Sequence, residues 1–333
     1  MITYDDVYIR PRHSELESRD NVSLDTQFTH NHRIGCPVVA SPMDTVVSAD
    51  MLSALHSEGC TGIMHRFCTV EEEVKALTNT MAGTPLCASV GATEGYEERA
   101  RKLIKEGTAD VILIDVAHGD HGLVRDALET LNGFDVDVIA GNVATYAGAQ
   151  NLIEWGADAL RVGIGNGSVC STRIKTGVGV GQITAIREAV RASEDQGGDV
   201  PVIADGGIRQ PGDACKALAA GADTVMVGSI LAGTDETPGE LKARETEWPN
   251  RELYKEYRGS ASQGVKGSDD YVEGVTRTVP YRGSVKRIIS DVKDGLRSSF
   301  SYVGASNIEE FRRRSQLVEV SGAAAQMGQP HHG

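Results

Sequence analysis

The sequence predicts one α/β domain, a (β/α)8 TIM barrel over residues 1–333, with a mobile flap after strand eight at about 259–280. Eight short apolar runs alternate with amphipathic helical stretches, which is the rhythm of repeated β-α units. The runs are continuously apolar, as is typical of parallel strands buried on both faces. No GxGxxG motif follows the first run, and the glycine turns come after the sixth to eighth runs. This favours a barrel over an open doubly wound sheet.

These patterns place the elements in chain order. The predicted strands are residues 36–40, 61–65, 86–91, 111–117, 136–141, 159–164, 201–205 and 224–229. The clearest helical patterns between them are residues 69–81, 95–107, 146–156 and 210–221. Several of these patterns end in glycine, a common signal for the end of a helix.

Two long segments lie outside the repeat. Residues 1–35 are polar and precede the first strand, whereas residues 234–300 follow the eighth. The second segment contains the small, polar stretches 259–264 and 267–270, so we expect a mobile lid rather than core. A plain disordered linker is the alternative. We expect little independent order in the tail from Gly322 onward.

Composition excludes several classes of protein. The formal net charge of −14 argues against non-specific nucleic-acid binding, which needs a basic surface. Six cysteines without CxxC spacing argue against both a zinc site and a disulfide framework. There is no signal peptide and no apolar run of about 18 residues, so we expect a cytoplasmic protein that has no membrane partner.

The most informative motif is LRVGIGNGSVCST at residues 160–172. A strand-like run opens into a glycine turn that presents Cys170, and Thr172 follows two residues later. Backbone N–H groups in such a turn can bind an anion, and a thiol beside them is suited to attack a phosphorylated substrate. The alternative is a small buried cysteine. We expect that inert role for the cysteines in or beside apolar runs, which are Cys36, Cys60, Cys68, Cys87 and Cys215.

In a barrel, residues at the C-terminal ends of the strands line the active site. Asp205-Gly206-Gly207 and Gly228-Ser229 end neighbouring strands, so their backbone N–H groups can face one phosphate. Asp205 is placed to accept hydrogen bonds from ribose hydroxyls or simply to cap the next turn, and Asp115 suits a second nucleotide. The other polar residues at strand ends are Ser41, Asp44, His118 and Asn142.

The cysteine motif resembles the signature of the IMP dehydrogenase and GMP reductase family, including its Cys-x-Thr. Asn166 stands where the family usually has Pro and Ser171 where it usually has Thr, and neither change removes a reacting group. Further fragments match in the same order along almost the whole chain: ITYDDVYIRP (2–11), ASPMDTV (40–46), IDVAHG (114–119), AGNVAT (140–145), IADGGI (203–208), VMVGSILAGTDE (225–236), YRG (257–259), VPYRG (279–283) and GLRSSFSYVGA (295–305).

The resemblance implies a barrel that forms homotetramers and binds a purine nucleoside monophosphate, GMP or IMP. It implies that Cys170 attacks C2 of the purine, with Thr172 and Glu273 as catalytic partners. The implied substrate contacts are Ser168, Asp205, Gly206, Gly207, Gly228, Ser229, Gly259, Ser260, Ala261 and Gly274. The implied nicotinamide-cofactor contacts are Asp115, Val116, Ala117, Ile164 and Gly165. Backbone carbonyls of Gly165, Gly167 and Cys170 resemble the potassium site of the family.

The two branches of this family differ after the covalent step. A reductase expels ammonia from GMP and then uses NADPH to make IMP. A dehydrogenase oxidises IMP with NAD and then hydrolyses the adduct with a flap Arg-Tyr pair in the motif GSxDRY. Here residues 267–271 read GSDDY, and the carboxylate of Asp270 cannot replace a guanidinium. Residues 173–179 resemble the reductase RxKTGVG, and the glutamate of VEG, Glu273, aligns with the reductase partner of the threonine.

We therefore predict an NADPH-dependent GMP reductase. The CBS domains that dehydrogenases usually carry are not expected, because helix follows strand without interruption around residues 60–90. Residues 62–66, 117–119 and 318–323 resemble the dehydrogenase branch, so an NAD-dependent IMP dehydrogenase without CBS domains is the alternative. A purine-nucleotide-binding regulator that has lost catalysis is a third possibility, against which the retained reacting groups argue.

Overall fold

The computed structural model describes residues 1–81, 83–245, 251–259 and 274–322. The strands are β1 (Val7–Ile9), β2 (Thr26–Gln27), β3 (Arg33–Ile34), β4 (Val38–Ala40), β5 (Thr61–Gly62), β6 (Cys87–Val90), β7 (Val111–Asp115), β8 (Asp137–Val143), β9 (Ala159–Val162), β10 (Val202–Asp205), β11 (Thr224–Val227), β12 (Lys242–Glu245), β13 (Arg251–Arg258), β14 (Thr276–Pro280) and β15 (Leu317–Glu319). The α-helices are α1 (Ala49–Ser57), α2 (Val70–Thr78), α3 (Tyr96–Lys105), α4 (Gly122–Leu131), α5 (Tyr146–Glu154), α6 (Thr172–Thr176), α7 (Gln182–Asp195), α8 (Pro211–Ala219), α9 (Val285–Val303) and α10 (Ile308–Arg314). In these ranges, no helix has both the length and the apolar character needed to cross a membrane.

Eight parallel strands form the central barrel, in the order β5-β4-β11-β10-β9-β8-β7-β6. A parallel bridge between Ile63 and Cys87 joins the two ends of this order and closes the sheet. All eight predicted strands are present, so the (β/α)8 prediction is confirmed. Only residues 79–86 connect α2 to β6, so no further domain is inserted at that point of the barrel.

Side chains along each strand alternate between the barrel interior and the surrounding helices. Outward residues such as Val38, Ile112 and Val162 belong to a large core shared with the helices. The inward residues form a second, separate core, to which every barrel strand or its immediate end contributes. Its members are Val39, Ile63, Cys87, Val111, Leu113, Ile139, Ala159, Ile203 and Met226, together with Phe28 and Ile34.

Two residues beyond this inner core, the next inward position of every strand is polar or glycine. These positions are Ser41, His65, Ser89, Asp115, Gly141, Arg161, Asp205 and Gly228. We call them the polar layer. Because the strands are parallel, the polar layer lies at their shared C-terminal end, where barrel active sites form. Strand alternation alone therefore brings a charged set of side chains to one end of the barrel.

The opposite end of the barrel is closed by the segment before the first barrel strand. The β2–β3 hairpin contributes Phe28, which is fully buried in the inner core. Asp137, at the start of β8, fixes this hairpin: its carboxylate accepts bonds from Thr29 Oγ1 at 2.6 Å and from the Asn31 backbone N–H at 2.9 Å. The predominantly polar segment 1–35 thus supplies the apolar base of the barrel.

The sequence-based expectation for residues 234–300 was wrong in its second half. Residues 285–303 are helix α9, whose buried side recurs at helical spacing at Ile289, Val292, Leu296 and Phe300. Ser284 caps the start of the helix by accepting a bond from the Lys286 N–H at 3.3 Å. The glycines and polar residues earlier in the segment obscured this periodicity, and α9 is a packed helix of the barrel rather than part of a lid.

A three-stranded antiparallel sheet, β12-β13-β14, stands beside the C-terminal end of the barrel. Part of the predicted flap, residues 276–280, is therefore the strand β14, paired with β13. Residues 260–273 lie outside the described residues.

The base of this sheet is fixed by one buried ammonium group. Lys255 of β13 is only 5% exposed. Its Nζ donates to the carbonyls of Thr237 (2.7 Å), Thr234 (2.8 Å) and Asp235 (3.3 Å) and lies 3.3 Å from Thr237 Oγ1. Tyr257 is in β13 and Gly259 follows it directly, so Lys255 fixes the position of both residues relative to the barrel.

Replacing Lys255 with methionine keeps the volume but leaves these buried carbonyls without their donor. We expect Lys255→Met to lower the free energy of unfolding by about 1–3 kcal/mol, measured by urea denaturation. Lys242→Met is the matched control, since Lys242 is an exposed lysine of β12 paired with Glu256, and it should cost about 0–1 kcal/mol. Equal losses in the two variants would contradict the role given to Lys255.

Candidate active site

A cavity of about 520 Å³ opens at the C-terminal end of the barrel strands. It is lined by five members of the polar layer and by the loops that follow β7, β9, β10 and β11. All predicted site residues within the described ranges line this one cavity: Asp115, Val116, Ala117, Ile164, Gly165, Gly167, Ser168, Cys170, Thr172, Asp205, Gly206, Gly207, Gly228, Ser229, Gly259 and Gly274. Their individual roles stay predictions. Ser260, Ala261 and Glu273 lie outside the described residues.

Cys170 has the only exposed thiol of the six cysteines. Its Sγ lies 3.2 Å from Thr172 Oγ1, within reach of a hydrogen bond in which either group can donate. Of the other cysteines, four are buried as expected and Cys68 is half-buried. The glycine turn therefore presents one thiol to the cavity with a hydroxyl beside it, which is the arrangement a nucleophile and its proton-transfer partner require.

The two described ends of the predicted flap lie against the cysteine loop. Gly274 forms an antiparallel bridge with Cys170, and the Val275 N–H donates to the Val169 carbonyl at 3.0 Å. A side chain at Gly259 would place its Cβ 3.0 Å from the Val169 carbonyl oxygen, so this close approach favours glycine. Gly259 and Gly274, the described residues on either side of 260–273, therefore both lie beside the loop that carries Cys170.

The turn after β10 has the backbone geometry of an anion site. Gly206 and Gly207 both have positive φ, +90° and +81°, which few other residues adopt. Gly228 and Ser229 lie after the neighbouring strand β11, as the sequence predicted. Two successive residues in a turn of this kind can direct backbone N–H groups toward a phosphate.

Tyr257 lies next to Gly228, beside this turn. It was not identified as a site residue from the sequence. It is 4% exposed and lines the cavity, and a Cβ at Gly228 would lie 3.0 Å from its Oη. Burial raises the pKa of Tyr257 to about 12, although a hydrogen bond with Ser168 acts in the opposite direction. Its hydroxyl therefore keeps its proton at neutral pH and can donate to an anion.

A buried charge network crosses the base of the cavity. Arg161 is 7% exposed; its Nη1 donates to Asp115 Oδ1 at 2.7 Å and its Nε to Asp205 Oδ2 at 2.9 Å. Asn142 Nδ2 donates to the same oxygen of Asp205 at 2.8 Å. Burial opposes the charge of Arg161, but the two carboxylates outweigh it and raise the pKa of the guanidinium. The signal for this residue was present in the sequence: an arginine within an otherwise apolar strand.

A second arginine borders the same side of the cavity. Arg66 Nε lies 3.4 Å from Asp115 Oδ2, and the guanidinium carbon is 4.9 Å from the centre of the Phe67 ring. Both residues line the cavity, although neither was identified from the sequence. By contrast, Asp44 and His118 do not line it: Asp44 pairs with Arg258, and His118 is exposed.

The potassium prediction concerns backbone oxygens rather than side chains. Within the described ranges, no group of three His, Cys, Asp or Glu side chains could hold a metal ion. The Gly167 carbonyl accepts a bond from the Cys170 N–H at 3.1 Å, and the Arg173 side chain lies over Gly165. Backbone carbonyls in a glycine turn suit a monovalent cation, so the oxygens of this loop are compatible with the predicted potassium site.

Comparison with known proteins gives a family match over nearly the whole chain. The model described as "IMP dehydrogenase / GMP reductase domain" matches residues 1–331. The chain is 44% identical to inosine-5'-monophosphate dehydrogenase of Pasteurella multocida, with 97% of this chain and 66% of that protein covered. It is 36% identical to the enzyme of the same name from Cryptosporidium parvum, with 96% and 92% covered.

Among solved structures, the chain resembles a cysteine-to-alanine variant of GMP reductase from Trypanosoma brucei in complex with guanosine 5'-monophosphate. The TM-score is 0.92 at 28% sequence identity, and the match covers 100% of this chain and 98% of that one. The chain spans just under two thirds of the Pasteurella relative but nearly all of this structural neighbour.

The exposure of the cysteines predicts selective modification. Iodoacetamide added to the native protein should label Cys170 before any other cysteine, because the remaining five are buried or half-buried. Peptide mass spectrometry after graded labelling would measure this order. The denatured protein, in which all six should react, is the control, and earlier labelling of Cys68 in the native protein would contradict the geometry.

Proposed function

This chain belongs to the IMP dehydrogenase / GMP reductase family of oxidoreductases, and we propose that it is a GMP reductase that converts GMP to IMP and ammonia with NADPH. The structural neighbour is in complex with GMP, which supports a purine nucleoside monophosphate as substrate here. The observation that carries the choice of branch is Asp270, which stands where the dehydrogenase motif has its arginine.

The protein binds the nucleotide through local groups, because its overall charge of −14 repels a phosphate. The phosphate lies against Ser168, the Gly206-Gly207 turn and Gly228-Ser229, with the neutral hydroxyl of Tyr257 as an added donor. Asp205 accepts from the ribose hydroxyls. With the phosphate and ribose bound there, we propose that the purine lies toward Cys170 and that Gly259, Ser260, Ala261 and Gly274 complete its contacts.

The reaction proceeds through the Cys170 sulfur. Sγ forms a bond to C2 of GMP, the bond from C2 to the exocyclic nitrogen breaks, and ammonia leaves after protonation. Thr172, 3.2 Å from the sulfur, and Glu273 carry the protons of this step. A hydride then adds to C2, the carbon–sulfur bond breaks, and its electron pair returns to the sulfur. The balance is GMP plus NADPH plus two protons giving IMP, ammonium and NADP⁺.

We propose that the cofactor binds in the part of the cavity lined by Asp115. Asp115, Val116, Ala117, Ile164 and Gly165 would hold the nicotinamide nucleotide, and when bound there it supplies the hydride. The residues fit such a group, because Asp115 Oδ1 is held by Arg161 whereas the contact of Oδ2 with Arg66, at 3.4 Å, is longer. We further propose potassium at the carbonyls of Gly165, Gly167 and Cys170, and a homotetramer, both from the family resemblance.

An NAD-dependent IMP dehydrogenase is the second candidate. The 44% identity to the Pasteurella enzyme favours it, as do residues 62–66. Both candidates require Cys170, and they differ in what releases the adduct. The family resemblance assigns activation of water to the flap Arg-Tyr pair, and Asp270 has neither the charge nor the planar guanidinium of that arginine. Hydride transfer to C2 needs no activation of water.

Nicotinamide absorbance separates the candidates. We expect NADPH to be consumed with GMP and no NADH to form from NAD and IMP. Cys170→Ala should lower turnover by more than about a thousandfold, the scale seen when a nucleophile is removed, while GMP still binds. Cys68→Ala, a cysteine that does not line the cavity, is the matched control and should retain turnover.

Each other outcome overturns part of the proposal. NADH formation from IMP and NAD, with no reaction of GMP, would make the protein a dehydrogenase. Inactivity in both mixtures with GMP binding intact would indicate a nucleotide-binding regulator. Full turnover by Cys170→Ala would remove the covalent mechanism from either branch.

A further inference from the structure

We propose that Arg161 is a positioning residue that couples the nucleotide half of the cavity to the cofactor half, so that each ligand strengthens binding of the other. The inference rests on the proposed function, in which Asp205 meets the substrate ribose and Asp115 the cofactor. The structural observation is independent of it: one buried guanidinium is hydrogen-bonded to both carboxylates.

The oxygens of Asp205 are divided between the protein and the cavity. Both hydrogen bonds described for this carboxylate, from Arg161 Nε at 2.9 Å and Asn142 Nδ2 at 2.8 Å, fall on Oδ2. Because Asp205 lines the cavity and Oδ1 has no hydrogen bond to another described residue, we assign Oδ1 as the oxygen that accepts from a ligand. The protein holds Asp205 through Oδ2, so the orientation of this carboxylate depends on the position of the Arg161 guanidinium.

Asp115 has the same division. Oδ1 accepts from Arg161 Nη1 at 2.7 Å, whereas Oδ2 has the longer contact of 3.4 Å with Arg66. The planar guanidinium fixes the relative directions of Nε and Nη1, so a rotation that improves one contact changes the other. Asp205 Oδ2 and Asp115 Oδ1 are thus joined through one rigid group, and the orientation of each carboxylate is linked to that of the other.

Burial makes this connection stiff. The side chain of Arg161 is 9% exposed, and those of Asp115 and Asp205 are 10% and 15% exposed. Breaking either pair would leave a poorly solvated charge without its partner, which is costly at this depth. The guanidinium therefore stays between the two carboxylates and does not exchange one of them for water.

The coupling follows from this geometry. A ribose diol bound to Asp205 Oδ1 fixes that carboxylate and, through Oδ2, the guanidinium. Arg161 then presents Asp115 in one orientation, so the cofactor loses less freedom on binding than it would in the empty protein. By linkage, the cofactor strengthens nucleotide binding by the same factor.

Binding without turnover provides the test. The titrations use proteins that also carry Cys170→Ala, because the thiol would otherwise form the adduct with GMP and release ammonia, and NADP⁺ cannot supply the hydride that reduces GMP. In this comparison, wild type means Cys170→Ala with positions 66, 115 and 161 unchanged. Isothermal titration gives the ratio of the GMP dissociation constants without and with saturating NADP⁺. We expect a ratio of about 5 to 50 for the wild type, within the usual range of coupling between sites.

Arg161→Lys keeps the positive charge but loses the planar fork, so its ratio should fall below about 2. The matched control is Arg66→Lys, the same substitution at an arginine that contacts Asp115 but not Asp205, and its ratio should stay near the wild-type value. If Arg161→Lys does not fold, Asp115→Asn removes the charge of one carboxylate of the bridge and should reduce the ratio in the same way. If Arg161 had a merely structural role, Arg161→Lys would change the GMP dissociation constants without and with NADP⁺ by the same factor and leave the ratio of the two unchanged.

The outcomes separate this inference from the proposed function. Two results overturn the coupling and leave the reductase proposal intact. The first is a ratio near 1 in the wild type. The second is a ratio in Arg161→Lys that equals the wild-type value or, should that variant not fold, an unchanged ratio in Asp115→Asn. Coupling in these titrations, combined with a failure of the protein that retains Cys170 to reduce GMP, overturns the reductase proposal alone. Failure of the wild type to bind GMP or NADP⁺ overturns both.

Discussion

Closure of eight parallel strands into a barrel is the constraint on which the site depends. Once the sheet is closed, every second side chain of each strand must point into a narrow interior. The chain fills the lower part of that interior with residues such as Ile139, Ile203 and Met226 and then changes to polar residues one inward step later. Asp115, Arg161 and Asp205 meet because they occupy that step on β7, β9 and β10, although they are far apart in sequence.

The polar layer supplies fixed charges, whereas the loops beyond it carry the groups that we propose react. Cys170 lies on the glycine turn after β9, where its thiol reaches the cavity, and Gly274 forms a β-bridge with it. A rigid charged base and a loop-borne nucleophile suit a reaction in which one carbon must meet first sulfur and then hydride.

Much of the fold could be predicted from the sequence because parallel buried strands are continuously apolar and their ends carry glycine and aspartate. The cysteine turn and the Gly206-Gly207 turn were identified for the same reason, since short-range patterns encode both. Arg161, Arg66 and Tyr257 were missed because their importance comes from contacts between distant segments. Tyr257 lies against Gly228 in the cavity wall, and that contact depends on how Lys255 fixes the β12-β13-β14 sheet to the barrel. Helix α9 was a different case, since its periodicity was present but lay within a segment dominated by glycine and polar residues.

The most direct test of the account is detection of the covalent adduct. Acid quenching of the protein with GMP in the absence of NADPH, followed by intact-mass and peptide analysis, should show a species heavier by the mass of GMP less ammonia, located on Cys170. Addition of NADPH before the quench should remove it. Failure to find any purine adduct on Cys170 in a preparation that turns over GMP would contradict the mechanism.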